Sequence, residues 1–172
     1  MARGYRVRRA GAGDIPALVR HRVEMFRSMG RLVPREAPLL AAAFRRHLRA
    51  ALPRGGYVAW VAETGGEVVA GAGVVPRRLL PRPGVTRGGV EAYLLNVFTE
   101  EAHRRRGLAR RLVKAVLAWA RREGAAIVSL HASDMGRSVY EGLGFVPNPR
   151  EMRLRLGTPA GRRPARRRAG RG

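Results

Sequence analysis

Apolar and polar residues alternate at Tyr5-Arg6-Val7-Arg8-Arg9, the two-residue period of a strand with one buried face. The period then lengthens. Ile15, Leu18, Val19, Val23 and Phe26 recur at helical spacing, with Asp14 as the expected N-cap, Pro16 in the first turn and Gly30 ending the run. A second stripe, Leu40, Phe44, Leu48 and Leu52, predicts a helix from about Glu36 to Leu52 that Pro53 stops. Tyr57 to Ala62 reads as a strand, Thr64-Gly65-Gly66 as a turn, and Glu67 to Val75 as the hairpin partner. Pro76 to Gly89, rich in Pro, Gly and Arg, is expected to be a loop. Val90 to Phe98 is a mostly apolar strand of the fully buried kind. A long helix follows from about Gly107 to Glu123. Leu108, Leu112, Ala115, Val116 and Trp119 face its core side, Arg110, Arg111, Lys114 and Arg121 face outward, and Gly124 caps it. Ala126 to Leu130 predicts a strand and Asp134 to Leu143 a short helix. Phe145 to Leu156 predicts a last strand, broken by Pro147 and Pro149.

The order β-α-α-β-β-β-α-β-α-β is that of an α/β fold, a mixed sheet with helices on its faces. One domain over residues 1–156 is expected, with a disordered basic tail over 157–172. A chain of 172 residues is long enough for one domain with a true core. It has no cysteine, which excludes disulfides, thiolate metal sites and a cysteine nucleophile. No apolar run is long enough to cross a bilayer, so a cytoplasmic protein without a membrane partner is the expectation.

The formal charge is +23, which invites a nucleic-acid reading. Six of those charges are arginines packed into Gly157–Gly172. Lys114 is the only lysine, and isoleucine and asparagine are confined to Ile15, Ile127, Asn96 and Asn148. That bias fits a GC-rich coding sequence and surface charge that has drifted. Basic residues do not interleave with aromatics and no helix-turn-helix pattern occurs, so no specific nucleic-acid partner is expected. His21, His47, His103 and His131 show no ligand spacing, so no metal is expected.

The segment most informative about chemistry is Asn96 to Ala109. A strand ends, Arg104, Arg105 and Arg106 crowd a short loop, and Gly107 opens a helix. Helix N-termini carry unpaired N–H groups and partial positive charge, so this arrangement suits a pyrophosphate. A side chain at Gly107 would hold the phosphate off the backbone.

Arg104-x-x-Gly107-x-Ala109 resembles the Arg/Gln-x-x-Gly-x-Gly/Ala signature with which the GNAT superfamily binds the pyrophosphate of acetyl-CoA. Tyr140-Glu141-Gly142-Leu143-Gly144-Phe145 is similar to that family's Tyr-x-x-x-Gly-Phe ending, and the order of elements matches from Tyr5 to Leu156. The resemblance implies an acetyl-CoA-dependent N-acetyltransferase. Arg104, Arg105, Arg106, Gly107, Leu108 and Ala109 would then hold the pyrophosphate. The backbone of Val97, Phe98 and Thr99 would run beside the pantetheine arm and polarise the thioester carbonyl. The family's asparagine seven residues before the tyrosine is replaced here by Ser133, with Asp134 next; either of them, or a water, can take its role. Tyr140 becomes the general acid for the departing CoA sulfur, since a phenol of pKa about 10 is protonated at neutral pH.

The general base stays open among Glu24, Glu91, His21 and His131. The first helix is where the acceptor amine sits in such enzymes, and Arg22 and Glu24 are its polar specificity candidates. Met25 and Met29, at i and i+4, are read as core rather than substrate contacts. The acceptor is a small-molecule amine, an amino acid or a protein amine, and a homodimer is compatible with the sequence. Two other readings remain: a non-catalytic acyl-CoA-binding sensor, and a basic nucleic-acid-binding protein.

Overall fold

The computed structural model describes residues 4–84, 86–149, 151, 152 and 154. Its elements are β1 (Arg6–Arg9), α1 (Ile15–Ser28), α2 (Ala37–Ala51), β2 (Val58–Thr64), β3 (Glu67–Leu79), β4 (Gly89–Thr99), α3 (Leu108–Arg122), β5 (Ala125–Leu130) and α4 (Asp134–Glu141). The five strands form one sheet in chain order. Neighbours run antiparallel except β4 and β5, which are parallel and joined across α3.

Strand β2 is apolar from Val58 to Ala62 because both its faces are covered there. Val58, Trp60 and Ala62 pack with Leu108, Leu112, Val113, Val116 and Trp119 of α3. Tyr57, Ala59 and Val61 point the other way, against Ile15, Leu18 and Val19 of α1 and Phe44 and Leu48 of α2. Trp60 and Trp119 join sheet to helix with ring centroids 5.7 Å apart. Leu112, Val113 and Val116 are fully buried, each stabilising the fold by about 1.5–3 kcal/mol relative to exposure.

Four expectations change. Asp14 precedes α1 without capping it. Its buried carboxylate turns back and accepts two hydrogen bonds from the Arg8 guanidinium and one from the Gly11 N–H, all at 2.8 Å. The hairpin partner β3 runs on to Leu79, through Pro76. Proline is tolerated there because β2 pairs with β3 only as far as Val74, which leaves that flank of Pro76 without a strand to bond. Met25 and Met29 lie outside the core, against a cavity described below. No strand occurs among the described residues after Leu143, where Pro147 and Pro149 interrupt the ladder, so the order ends β-α-β-α. The remainder of the expected last strand, and the proposed tail, lie outside the described residues.

Candidate active site

The parallel pair β4–β5 runs from Val90↔Ala125, through a one-residue slip before Glu91↔Ile127, to Leu94↔Leu130 and then stops. Beyond Leu94 the two strands part. Strand β4 stays attached to β3 on its other side, with Phe98 opposite Gly71 and Thr99 opposite Ala70. Between Leu95 and Phe98 the register slips by one residue. Asn96 takes up the extra residue in the left-handed region, φ 55°. Its side chain is held at both ends: Nδ2 donates to the Tyr57 hydroxyl at 2.8 Å, and Oδ1 accepts from Arg22 Nη1 at 2.5 Å.

A cavity of about 520 Å³ opens where the strands part. Val97, Phe98 and Thr99 form its β4 wall, and Leu130 and His131 its β5 wall. Arg104 and Ala109 lie toward the start of α3, Ser133 and Tyr140 toward α4, and Arg22 and Met25 on α1, with Met29 just after it, complete the lining.

The start of α3 is shaped for a ligand. Gly107 sits just before it at φ 73°, a conformation that penalises any side chain. A Cβ placed there meets no protein atom within 4 Å, so glycine is demanded by the backbone conformation, not by packing. No side chain caps the helix, and the first turn keeps its N–H groups free of a side-chain partner. Arg104 Nε donates to the Thr99 carbonyl at 3.2 Å, tying this loop to the cavity wall. Arg105, itself at φ 62°, and Arg106 are exposed and do not line the cavity. The Leu108 side chain belongs to the core, which leaves only its backbone for a ligand.

Tyr140 is half-buried, with its ring edge-on to Phe145 at 5.8 Å. Among the described residues its hydroxyl has no hydrogen-bond partner, and burial pushes the phenol up to about 12. It is therefore a protonated donor with no acceptor among the described residues.

Of the four residues named as base candidates, only His131 lines this cavity. One ring nitrogen meets the Tyr93 hydroxyl at 2.5 Å and the other Glu151 at 3.1 Å. His21 is sealed between α1 and the sheet, bonded to Glu100 at 3.0 Å, and burial lowers its pKa. Glu91 is occupied by Ser129 and sits 3.9 Å from Arg77. Glu24 pairs with Arg27 and is not part of the cavity wall, unlike Arg22. Asp134 is likewise absent from the wall, where Ser133 is present. Asn96 went unrecognised as a site residue in the sequence, although it is a polar residue, tolerant of the left-handed region, amid the apolar run Leu94 to Phe98. Among the described residues no cluster of three or more His, Asp or Glu could hold a metal ion. No helix among them is long and apolar enough to cross a membrane.

Residues 19–145 match the acetyltransferase (GNAT) family. The chain belongs to that family. A GCN5-related N-acetyltransferase from Ralstonia eutropha JMP134 superposes with a TM-score of 0.80 at 30% identity, over 90% of this chain and 100% of that one. An acetyltransferase from Clostridium acetobutylicum, solved with acetyl-CoA, also reaches 0.80, at 24% identity over 89% and 97% of the two chains, a likeness of fold. N-acetyltransferase family 8 member 2 of Rattus norvegicus is 37% identical over 89 residues, 50% of this chain. The aligned part is 37% of that relative's length, so this GNAT chain matches well under half of it.

Proposed function

We propose that this chain is an N-acetyltransferase that moves an acetyl group from acetyl-CoA to a primary amine by direct attack. The observation that carries the reading is the Tyr140 hydroxyl, unpartnered in a cavity that runs from the parted strands to the uncapped start of α3. Acetyl-CoA fits these features. The free N–H groups after Gly107, with Arg104 beside them, suit its pyrophosphate. The β4 backbone at Val97, Phe98 and Thr99 has no strand on its β5 side and can bond the pantetheine arm. Ser133 lies where that arm would pass. Arg105 and Arg106 contribute long-range attraction from the surface.

The acceptor's nitrogen must be neutral to attack. No carboxylate side chain lines the cavity, whereas Arg22, Arg31 and Arg104 do, and a cationic setting favours the neutral amine over its ammonium. His131, the base candidate at the wall, takes the proton directly or through Tyr93 or water. As the new C–N bond forms and the C–S bond breaks, Tyr140 gives its proton to the departing sulfur. A β4 N–H stabilises the carbonyl oxygen meanwhile. A cytoplasmic setting is part of the same proposal.

The test is acetyl-CoA binding and turnover. Gly107→Asp should place a carboxylate at the α3 start, where the pyrophosphate belongs. Calorimetry should show a loss of affinity of roughly a hundredfold, about the worth of one strong charge-assisted bond. CoA release across a panel of amines should report transfer by the parent. Unchanged affinity in a folded Gly107→Asp protein contradicts the cofactor site. Tight binding with no turnover on any amine favours the sensor reading instead.

A further inference from the structure

The cavity holds a cation whose partner is missing. Arg22 projects from α1 with its guanidinium between the Phe26 and Phe44 rings, 4.9 and 4.7 Å from their centroids. Nη1 donates to Asn96, and Nε is completely buried without an acceptor. No carboxylate comes within ion-pair distance among the described residues, although Arg8, Arg20 and Arg27 each have one. Burying a charge without a counter-charge is costly, and folds rarely keep one at a cavity wall without a use for it.

Tying α1 to the β4 bulge does not account for this residue. A neutral donor would serve Asn96 equally well and leave no buried orphan. The rings hold the guanidinium plane in place, which pre-organises Nη2, the nitrogen not bonded to Asn96 and not sealed like Nε, for an anion. The cavity it faces contains no acidic side chain, and Arg31 at the same end adds a second positive charge.

We infer that the acceptor amine carries its own anionic group, a carboxylate or a phosphate, and that Arg22 binds it. This rests on the transferase reading and narrows it to amino acids and amino phosphates, setting aside polyamines and other purely cationic amines. The chemistry agrees with itself: the anion draws the acceptor in, while the arginines disfavour the ammonium form at the attacking nitrogen.

The test needs no turnover. CoA-loaded protein is titrated calorimetrically with N-acetyl-amino acids, with their N-methyl amides, and with N-acetyl-O-phosphoethanolamine. The acids or the phosphate should bind roughly tenfold to a hundredfold more tightly than the amides, as a charge-assisted hydrogen bond requires. Whichever anion binds better identifies the group. Arg22→Gln should close the gap between acid and amide, and Arg22→Lys should restore part of it. Amides that bind as well as the acids, failure of both anions to bind the parent, or a gap that survives Arg22→Gln would overturn the inference. Selective binding of an anion with no acetyl transfer to the matching amine would leave the inference standing and sink the transferase reading.

Discussion

Replacing Gly73 with alanine should destabilise the protein and weaken its cavity together. The added Cβ would lie 1.8 Å from the Tyr57 hydroxyl oxygen and 2.3 Å from the ring carbon that bears it. Real Cβ atoms do not approach so closely, so Tyr57 must move. It has little freedom to do so. The residue is 1% exposed, its ring is edge-on to Phe44 at 5.9 Å and to His47 at 6.2 Å, and its hydroxyl accepts from Asn96. Overpacking by one methyl ordinarily costs about 1–3 kcal/mol. Losing the Asn96 bond adds about 1 kcal/mol. The sum is about 3 kcal/mol, or ~6–12 °C in Tm for a chain of this size. Urea titration should show a lower midpoint with an unchanged slope. Because Asn96 also holds the bulge and Arg22, acetyl-CoA affinity should fall as well. Tyr57→Leu, which shortens the side chain, should relieve the clash, so the double variant should be at least about 1 kcal/mol more stable than additivity allows. A Gly73→Ala protein within 2 °C of the parent, an effect of roughly 1 kcal/mol or less, would refute the packing argument.

Two further predictions concern pH. Burial raises the phenols of Tyr57 and Tyr140 to about 12, above their ordinary value near 10. The folded state therefore favours their neutral forms. That contribution is complete below pH 10 and is lost as pH climbs through 12, so the urea midpoint should fall steeply over this window, and less steeply in Tyr140→Phe. The Arg8 guanidinium holds the Asp14 carboxyl below the usual carboxylate range. Its stabilisation is present above about pH 4 and fades as pH falls through the lowered value. Asp14→Asn should cost about 1–3 kcal/mol at pH 7 and flatten the acid limb of a stability–pH profile.

The elements were legible because local signals and tertiary demands agree. Strand β2 is apolar on both faces, α3 has one clean stripe, and Gly30 and Gly124 end their helices in the left-handed region. The Asp14 reading failed because a cap competes with any stronger donor, and Arg8 arrives from β1, out of reach of local pattern. Pro76 misled because a proline marks a loop only when the neighbouring flank needs its N–H. At the site, Val97, Phe98, Thr99, Arg104, Ala109, Ser133, Tyr140 and Arg22 all line one cavity, and it was the family resemblance, not local pattern, that drew attention to them. Met25 and Met29 read as core because an apolar pair at helical spacing looks the same against a cavity as against a sheet. Asn96 was hidden, and the four base candidates could not be told apart, for a shared reason. Their significance comes from which strands part and where, a property of the sheet and not of any one segment.

The central claim is that Tyr140 supplies the proton to the leaving sulfur. The most direct measurement compares Tyr140→Phe with the parent on the best acceptor, reading kcat from CoA release and acetyl-CoA affinity by calorimetry. Phenylalanine keeps the ring against Phe145 and removes only the hydroxyl, which bonds no described residue. General acid catalysis contributes about 10²–10⁴-fold. The account predicts a fall in kcat of that order with nearly unchanged acetyl-CoA affinity and Tm. A Tyr140→Phe enzyme that turns over like the parent would contradict it.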